Sequence, residues 1–296
     1  MRVVVLVWEG FLGILTIALI VVALLSAPPG QYLVLILAQA GALGLVATGL
    51  ALSFRTGTPN LAVGSIAAFT AMVTASLMTN GLGWAAAIIA ILVATVGGLL
   101  LGLFATALSA PAWAVTLGAA VACEALVNGI ADGRVIPIDV NFPTYVWFVL
   151  FAIVSLGGAL AWPALRVASP WITAMVGLGG SSLLAALGGV ALLTRIHAAT
   201  PASGWTTTTL ALAAVLLGGI SVHGKRGGVA GTVLAVLFLS LVQGQLVLWA
   251  APPWVFQVIA GAVILAALLA GRLAELVAQE TPAPVTPAPV TPEGRS

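Results

Sequence analysis

The sequence predicts an all-α integral membrane protein, a bundle of about ten transmembrane helices. Hydrophobic residues make up 62% of the 296 positions and charged residues only 5%, and the mean hydropathy is +1.24. A soluble domain carries roughly 25% charged residues because its surface faces water. The apolar runs are also long, and about 20 apolar residues span the hydrocarbon layer of a bilayer. So few charges over such long runs place the chain in a membrane.

Ten apolar segments follow one another along the chain, and most breaks between them carry the proline, glycine, asparagine or serine of turns. Tryptophans stand at many segment ends, where an amphipathic ring suits the membrane interface. The predicted segments are Val3–Ser26, Tyr32–Ser53, Leu61–Thr79, Gly83–Leu108, Trp113–Ile130, Tyr145–Leu165, Trp171–Thr194, Thr206–Val222, Gly228–Trp249 and Trp254–Gly271.

The positions of lysine and arginine predict the orientation. If the N-terminus lies inside, seven of the nine basic residues fall on the cytoplasmic side and only Arg134 and Arg195 fall outside. Cytoplasmic loops of membrane proteins carry such an excess of basic residues. We therefore expect a multi-pass protein of a bacterial-type inner membrane, with both termini in the cytoplasm.

The chain divides into a membrane domain, residues 1–279, and a proline-rich tail, residues 280–296. The tail repeats a Thr-Pro-Ala-Pro-Val unit and offers no apolar face to bury. Proline-rich segments of this kind adopt extended conformations without internal hydrogen bonds. We expect a disordered cytoplasmic tail.

No pattern in the sequence indicates catalysis. The two histidines, His197 and His223, fall on opposite sides of the predicted membrane, and no ATP-binding or metalloprotease motif occurs. The single cysteine, Cys123, has no partner for a disulfide or a metal site. The basic residues are scattered, which argues against nucleic acid. We expect no enzymatic activity, cofactor, metal or nucleic-acid partner, and we expect the chain to contact membrane lipid.

Three polar side chains inside predicted spans are candidates for a polar path. Glu124 lies deep in its segment, and an ionisable group at that depth normally faces a cavity or a partner. Asn128 follows one helical turn later and can share its face. Gln243 also lies within a span, although a hydrogen bond between helices explains such a residue equally well.

The region 56–66 predicts a broken or re-entrant helix. Proline, asparagine, glycine and serine interrupt an apolar stretch here, shortly after a full span. Non-helical backbone at membrane depth is tolerated only where protein or a water-filled cavity satisfies it. Asn60, Gly64 and Ser65 therefore join the candidate path, and an ordinary interfacial loop is the alternative.

Four stretches in order resemble ABC importer permeases of the ribose/branched-chain amino acid class. The segment 57–66 is similar to the family's G-x-x-D-L-S-V-G-S sequence, and 110–118 to its P-x-F-I-x-T-L-G helix entry. The segment 128–137 resembles the external segment that follows. The segment 211–231 resembles a glycine-rich stretch near the family's C-terminus.

The resemblance implies the pore subunit of an ABC importer, which carries a small polar solute such as a sugar, nucleoside or amino acid by alternating access. It also implies three kinds of partner: a second permease chain, identical or different, cytoplasmic ABC ATPase subunits, and an external solute-binding protein. ATP would be hydrolysed by the ATPase subunits, since this chain has no motif for it.

The sequence departs from the family at three places. Asn60 replaces an aspartate, and Glu124 stands where many members carry arginine. Family members also have a cytoplasmic loop with a short coupling helix, where this chain has only the five residues 166–170. Five residues form little more than one helical turn. Coupling to the ATPase would then rely on the cytoplasmic loop residues Arg166, His223, Lys225 and Arg226.

Three alternatives remain open from the sequence. A gradient-driven carrier of the drug/metabolite type would use Glu124 as its proton-coupling group and need no ATPase. A degenerate permease would keep the fold without ATP-coupled transport. A membrane scaffold would use the tail 280–296 as an interaction peptide.

Overall fold

A computed structural model of the chain describes residues 2–26, 29–165, 169–201, 204–221 and 229–280. Within these ranges the fold is helical apart from one two-stranded ribbon and the connecting turns. The helices are α1 (Arg2–Ser26), α2 (Pro29–Arg55), α3 (Val63–Leu77), α4 (Ala85–Ala107), α5 (Ala112–Ala131), α6 (Val146–Leu165), α7 (Pro170–Ile196), α8 (Trp205–Leu217), α9 (Val229–Leu248) and α10 (Pro253–Glu280). A π-helical turn, Met78–Leu82, extends α3, and strands β1 (Ile136–Pro137) and β2 (Ala198–Ala199) pair antiparallel.

The all-α membrane bundle is confirmed, and the helices of the described residues follow the predicted segments in order. Eight of them are long and apolar enough to cross a membrane, whereas Val146–Gly158 and Trp205–Leu217 are shorter apolar stretches. Large hydrophobic side chains cover the outward faces of the peripheral helices, such as Ile14 on α1 and Leu265 on α10. A surface of this composition suits lipid rather than water.

Helices α2 and α7 form the centre of the bundle. They are the most buried of the long apolar helices, while α1 and α10 are the least buried. The two helices also pack directly on each other, because Gly49 of α2 fits against the Ser181 carbonyl of α7. Small residues at such contacts let helix backbones approach closely in membranes.

Helices α2–α5 and α7–α10 repeat the same pairwise packing. Helix α4 packs on α7 as α9 packs on α2, and α3 contacts α5 as α8 contacts α10. The two long helices of 27 residues, α2 and α7, are each followed by a shorter one, α3 and α8, of 15 and 13 residues. Such internal repeats are common in transport proteins and need leave no visible sequence similarity.

Helices α3 and α8 begin in the interior and run towards opposite ends of the bundle. Helix α3 runs towards the β-ribbon, and both strands of the ribbon contact it. At the other end, the carbonyl of Leu217, the last residue of α8, accepts a hydrogen bond of 2.7 Å from Trp8 Nε1 near the start of α1. With 13 residues, α8 rises only about 20 Å, which is less than the roughly 30 Å of a bilayer core. It is therefore shorter than the full span that its segment predicts.

Several sequence predictions concern residues outside the described ranges. The tail 281–296 and the loop residues Arg166, His223, Lys225 and Arg226 belong to this group. The connection between α6 and α7 covers only residues 166–169, in agreement with the short loop of the sequence. Glu280, the first residue of the predicted tail, is the last residue of α10.

Adjacent glycines on α4 test the close packing of α4 on α7. A Cβ at Gly98 would collide with the Ser182 side chain and the Leu178 carbonyl, whereas a Cβ at Gly97 would meet nothing within 4 Å. We expect Gly98→Ala to lower the free energy of unfolding by about 1–3 kcal/mol through overpacking. Gly97→Ala is the matched control and should be neutral or slightly stabilising. Thermal unfolding of the two purified variants would measure the difference, and equal Tm values would contradict this packing.

Candidate functional site

The connection between α2 and α3 is a non-helical segment, residues 56–62, in which Asn60 and Ala62 are buried and Gly57 is exposed. Asn60 is fully buried in it and donates from Nδ2 to Ser181 Oγ of α7 at 2.7 Å. Its Oδ1 accepts from the backbone N–H of Ala62 at 3.0 Å, and its own N–H donates to Ser53 Oγ of α2 at 3.1 Å. Asn60 thus fixes the segment between the two central helices.

A threonine of α5 satisfies the next backbone groups of the segment. Thr116 Oγ1 accepts from the Leu61 N–H at 3.1 Å and lies 3.2 Å from the Pro59 carbonyl oxygen. In an apolar environment each unsatisfied backbone group costs several kcal/mol. Ser53 of α2 and Thr116 of α5 therefore supply backbone hydrogen bonds that helical geometry does not provide here, while Ser181 of α7 fixes the Asn60 side chain. The predicted helix break is real, and protein side chains satisfy its backbone.

The first turns of α3 and α8 meet at a contact that only glycine allows. A Cβ on Gly64 would collide with the Gly204 carbonyl oxygen, and a Cβ on Gly204 would collide with the Gly64 backbone. The Gly64 N–H donates to Thr208 Oγ1 at 3.0 Å across this contact. We call Gly64, Ser65, Glu124, Gly204 and Thr208 the helix-start junction.

Glu124 of α5 joins the two helix starts of the junction. Its Oε1 accepts a hydrogen bond from Ser65 Oγ of α3 at 2.7 Å and another from the Gly204 N–H of α8 at 2.7 Å. Glu124 lies near the middle of the 20-residue helix α5. The half-buried Glu124 carboxyl group therefore lies between the N-terminal ends of two helices.

The electrostatics of these helix ends favour an anion. An α-helix carries roughly half a positive charge at its N-terminus, and its first N–H groups have no partner within the helix. Both effects act together on a negatively charged group placed there. The junction thus offers the carboxyl group a hydroxyl donor in the first turn of α3 and a backbone N–H directly before α8, which together favour negative charge.

Two of the candidate path residues lie away from the Glu124 carboxylate. The Asn128 side chain is exposed, and its Nδ2 donates to the Glu124 backbone carbonyl of the same helix at 2.9 Å. Gln243 of α9 instead pairs with Gln39 of α2, where Gln39 Nε2 donates to Gln243 Oε1 at 2.6 Å. The structure thus brings together Asn60, Gly64, Ser65 and Glu124 of the six, along the segment 56–62 and the junction.

A pocket of about 390 Å³ opens at the β-ribbon end of the bundle. It combines an aromatic ring, Trp84, with the polar side chains of Thr79, Asp139 and Asn141. Phe142 stands between Trp84 and Trp147 with ring centroids 5.3 Å from each. The π-helical turn that extends α3 forms part of the wall, so this pocket lies at the far end of the same helix that starts in the junction.

Sequence reasoning missed the contribution of α8 to the site. The segment Arg195–Gly204 reads as an external loop, but Ala199 and Gly204 are buried. The available signal was a glycine directly before Trp205 and the four threonines 206–209, a polar start for an otherwise apolar helix. The partners Ser53, Thr116 and Ser181 carry no such signal, since isolated hydroxyl residues are common in membrane helices.

A polar junction where two helix starts meet within an apolar bundle is typical of membrane transport proteins. Within the described residues, no group of three or more His, Cys, Asp or Glu side chains gathers. The chain belongs to the family of ABC transporter permeases: residues 167–268 match the family described as branched-chain amino acid transport system / permease component. It is therefore related to the membrane-spanning subunits of ABC importers.

Three relatives show the range of the family. The chain is 31% identical to a probable ABC transporter permease protein of Sinorhizobium fredii over 235 residues, which cover 69% of this chain and 71% of the relative. It is 28% identical to the autoinducer 2 import system permease of Photorhabdus luminescens over 269 residues, 81% of each chain. A ribose import permease of Bacillus subtilis is 39% identical over 92 residues, 31% of this chain and 29% of the relative. No solved structure matches the chain.

Asn60 and Asn128 form a matched pair for testing the buried segment. Asn60→Ala removes the buried hydrogen bonds of the Asn60 side chain, which donates to Ser181 Oγ and accepts from the Ala62 N–H, whereas the backbone bond to Ser53 Oγ remains. Leaving such groups unpaired costs about 1–3 kcal/mol. Asn128→Ala removes one exposed bond within a helix and should change stability by less than about 0.5 kcal/mol. Thermal unfolding in detergent measures both, and a Tm for Asn60→Ala equal to that of Asn128→Ala would argue against the structural role of Asn60.

Proposed function

We propose that this chain forms the translocation path, or one half of it, in an ABC importer for a small polar solute such as a sugar, nucleoside or amino acid. The observation that carries the proposal is the helix-start junction. A hydrogen-bonded carboxylate in the interior of an apolar bundle is costly and indicates a substrate or ion pathway. Half-helices whose N-termini meet in the interior are the usual way to build such a pathway.

The names of the relatives support import and the solute class. One relative imports autoinducer 2 and another imports ribose, and the family is described by branched-chain amino acid transport. These cargoes are small and carry hydroxyl, carbonyl or amine groups. The hydroxyl groups of Ser65 and Thr208 and the amide of Asn60 are suited to exchanging hydrogen bonds with such a solute.

The proposed path runs from the β-ribbon pocket along α3 to the junction. The pocket of Trp84, Asp139 and Asn141 offers an aromatic face with polar neighbours at the entrance. Asn60, Gly64, Ser65 and Glu124 form the central constriction, and Asn128 lies one turn further along α5. The Gln39–Gln243 pair adds a second polar contact between α2 and α9. Alternating access would open this constriction by exchanging its hydrogen bonds for bonds to the solute.

The proposed assembly contains a second permease chain, cytoplasmic ABC ATPase subunits and an external solute-binding protein. The family makes ATPase and binding-protein partners the general expectation. In the orientation that the basic residues predict, both termini are cytoplasmic. The residues that would contact an ATPase are then Arg166, His223, Lys225 and Arg226, which lie outside the described ranges. Because residues 166–169 leave no room for a coupling helix, we infer that the loop 222–228 or the second permease chain makes the main contact.

Family membership favours this proposal over a gradient-driven carrier. The relatives are named as permease proteins of ABC transporters and import systems, which rely on ATPase subunits. In a carrier, Glu124 would take up and release a proton during transport. In this structure Glu124 Oε1 instead accepts hydrogen bonds of 2.7 Å from Ser65 Oγ and from the Gly204 N–H, and these bonds tie α5 to the starts of α3 and α8. A tie of this kind is compatible with an importer that draws its energy from ATP.

Co-purification from the native membrane tests the proposed assembly. We expect the tagged full-length chain, extracted in mild detergent, to bring down an ABC ATPase and either a second copy of itself or another permease chain. A second sample is the variant with the loop residues Lys225 and Arg226 changed to alanine. We expect the amount of ATPase that co-purifies with this variant to fall at least tenfold, while the permease partner is still recovered. Recovery of the chain alone, under conditions that keep a known importer intact, would contradict an ATP-driven assembly.

A further inference from the structure

We propose that Glu124 is a fixed anion built into the centre of the path, and that its charge excludes anionic solutes from the helix-start junction. The carboxylate of the protein occupies the position where a negatively charged solute would otherwise bind. The path would then accept neutral or cationic cargo. The statement about cargo rests on the proposed function, whereas the anion site itself does not.

The junction attracts negative charge from two directions. Ser65 stands in the first turn of α3, and Gly204 directly precedes the first turn of α8. Both donate to the same oxygen, Glu124 Oε1. Each helix start contributes a partial positive charge that is strongest within its first turn. The two donors belong to different helices, so the carboxylate binds a composite site that neither helix forms alone.

No basic side chain neutralises Glu124 within the described ranges. The ion pair found there joins Arg134 and Asp132, which are both exposed. Helix starts and a hydroxyl group are therefore the groups that stabilise the carboxylate. Because these groups carry only partial charges, the negative charge of the site persists towards an approaching solute. A second anion would meet repulsion in a poorly screened environment, whereas a neutral solute would not.

The close contact of Gly64 with Gly204 fixes the geometry of the site. Neither residue can carry a Cβ without a backbone collision, so only glycine allows the two helix starts to approach this closely. At this approach the Ser65 and Gly204 donors each lie 2.7 Å from the same oxygen, Glu124 Oε1. This geometry distinguishes a built site from two helix ends that happen to be near each other.

Chemical rescue of a truncated side chain tests the anion site directly. Glu124→Ala removes a fragment equal in size to acetate and leaves both donors in place. We expect the purified full-length variant to unfold at a lower temperature than the wild type, and acetate to restore at least half of the lost Tm. A site with millimolar affinity gives a measurable shift at about 100 mM ligand. Acetamide, which has the same shape without the charge, and chloride at equal ionic strength are the matched controls.

The comparison with the wild type tests the exclusion of anions. The wild-type chain and the Asn128→Ala variant should show no response to acetate beyond that to chloride, because Glu124 already fills the site. Equal rescue by acetate and acetamide would mean that the variant needs only a filled cavity, and this would overturn the proposal. A wild-type response as large as that of Glu124→Ala would overturn it as well.

A second variant keeps the proposal testable if Glu124→Ala does not fold. Glu124→Gln retains the size and one acceptor oxygen but removes the charge. We expect its Tm to lie below that of the wild type and not to respond to acetate, since the site is still filled. A Tm equal to that of the wild type would show that charge contributes nothing here. Neither assay needs an ATPase or a binding protein, so a failed rescue leaves the importer assignment intact, and a failed co-purification leaves the anion site intact.

Discussion

The fold depends on satisfying non-helical backbone inside an apolar bundle. Two non-helical places hold buried residues: Asn60 and Ala62 before α3, and Gly204 directly before α8. Water is not present at membrane depth to bind their N–H and C=O groups, so side chains must do so. Ser53, Thr116 and Ser181, from three different helices, bind the first stretch. The hydrogen bonds of the non-helical segment therefore also connect α2, α5 and α7 to one another.

Close glycine packing and polar hydrogen bonds occur together at the helix-start junction. Helices α3 and α8 can share one carboxylate only because Gly64 and Gly204 let their backbones touch. In turn, α3 approaches α7 closely because Gly189 leaves room for the Ala67 carbonyl. Without a hydrophobic driving force between membrane helices, such contacts supply the van der Waals packing that holds them together. The polar junction therefore lies where the packing is tightest.

The sequence was sufficient for the class of fold but not for the partners inside the site. Hydropathy located the helices because membrane spans are long and uniformly apolar, and the proline and asparagine of residues 56–62 revealed the break. The ten segments gave no reason to place Gly204 beside Gly64, because that contact joins residues 140 positions apart and depends on packing. The same holds for Ser181 with Asn60. An asparagine or a serine in a span signals a polar contact, but the sequence does not say with which helix.

The bonding pattern of the junction also bears on how a path could open. Asn60, Ser65 and Glu124 are all directed into the protein, and each has a partner within 3 Å. A solute that passes must therefore replace existing bonds rather than enter an empty site. Replacement costs little when the solute offers donors and acceptors in the same places, and it costs much when the solute is apolar. Because Glu124 connects α5 to the starts of α3 and α8, breaking its bonds removes one tie between these helices, while the Gly64–Thr208 bond and the Gly64–Gly204 contact still join them. The residue that we propose to repel anions is therefore also one of the ties between the starts of α3 and α8.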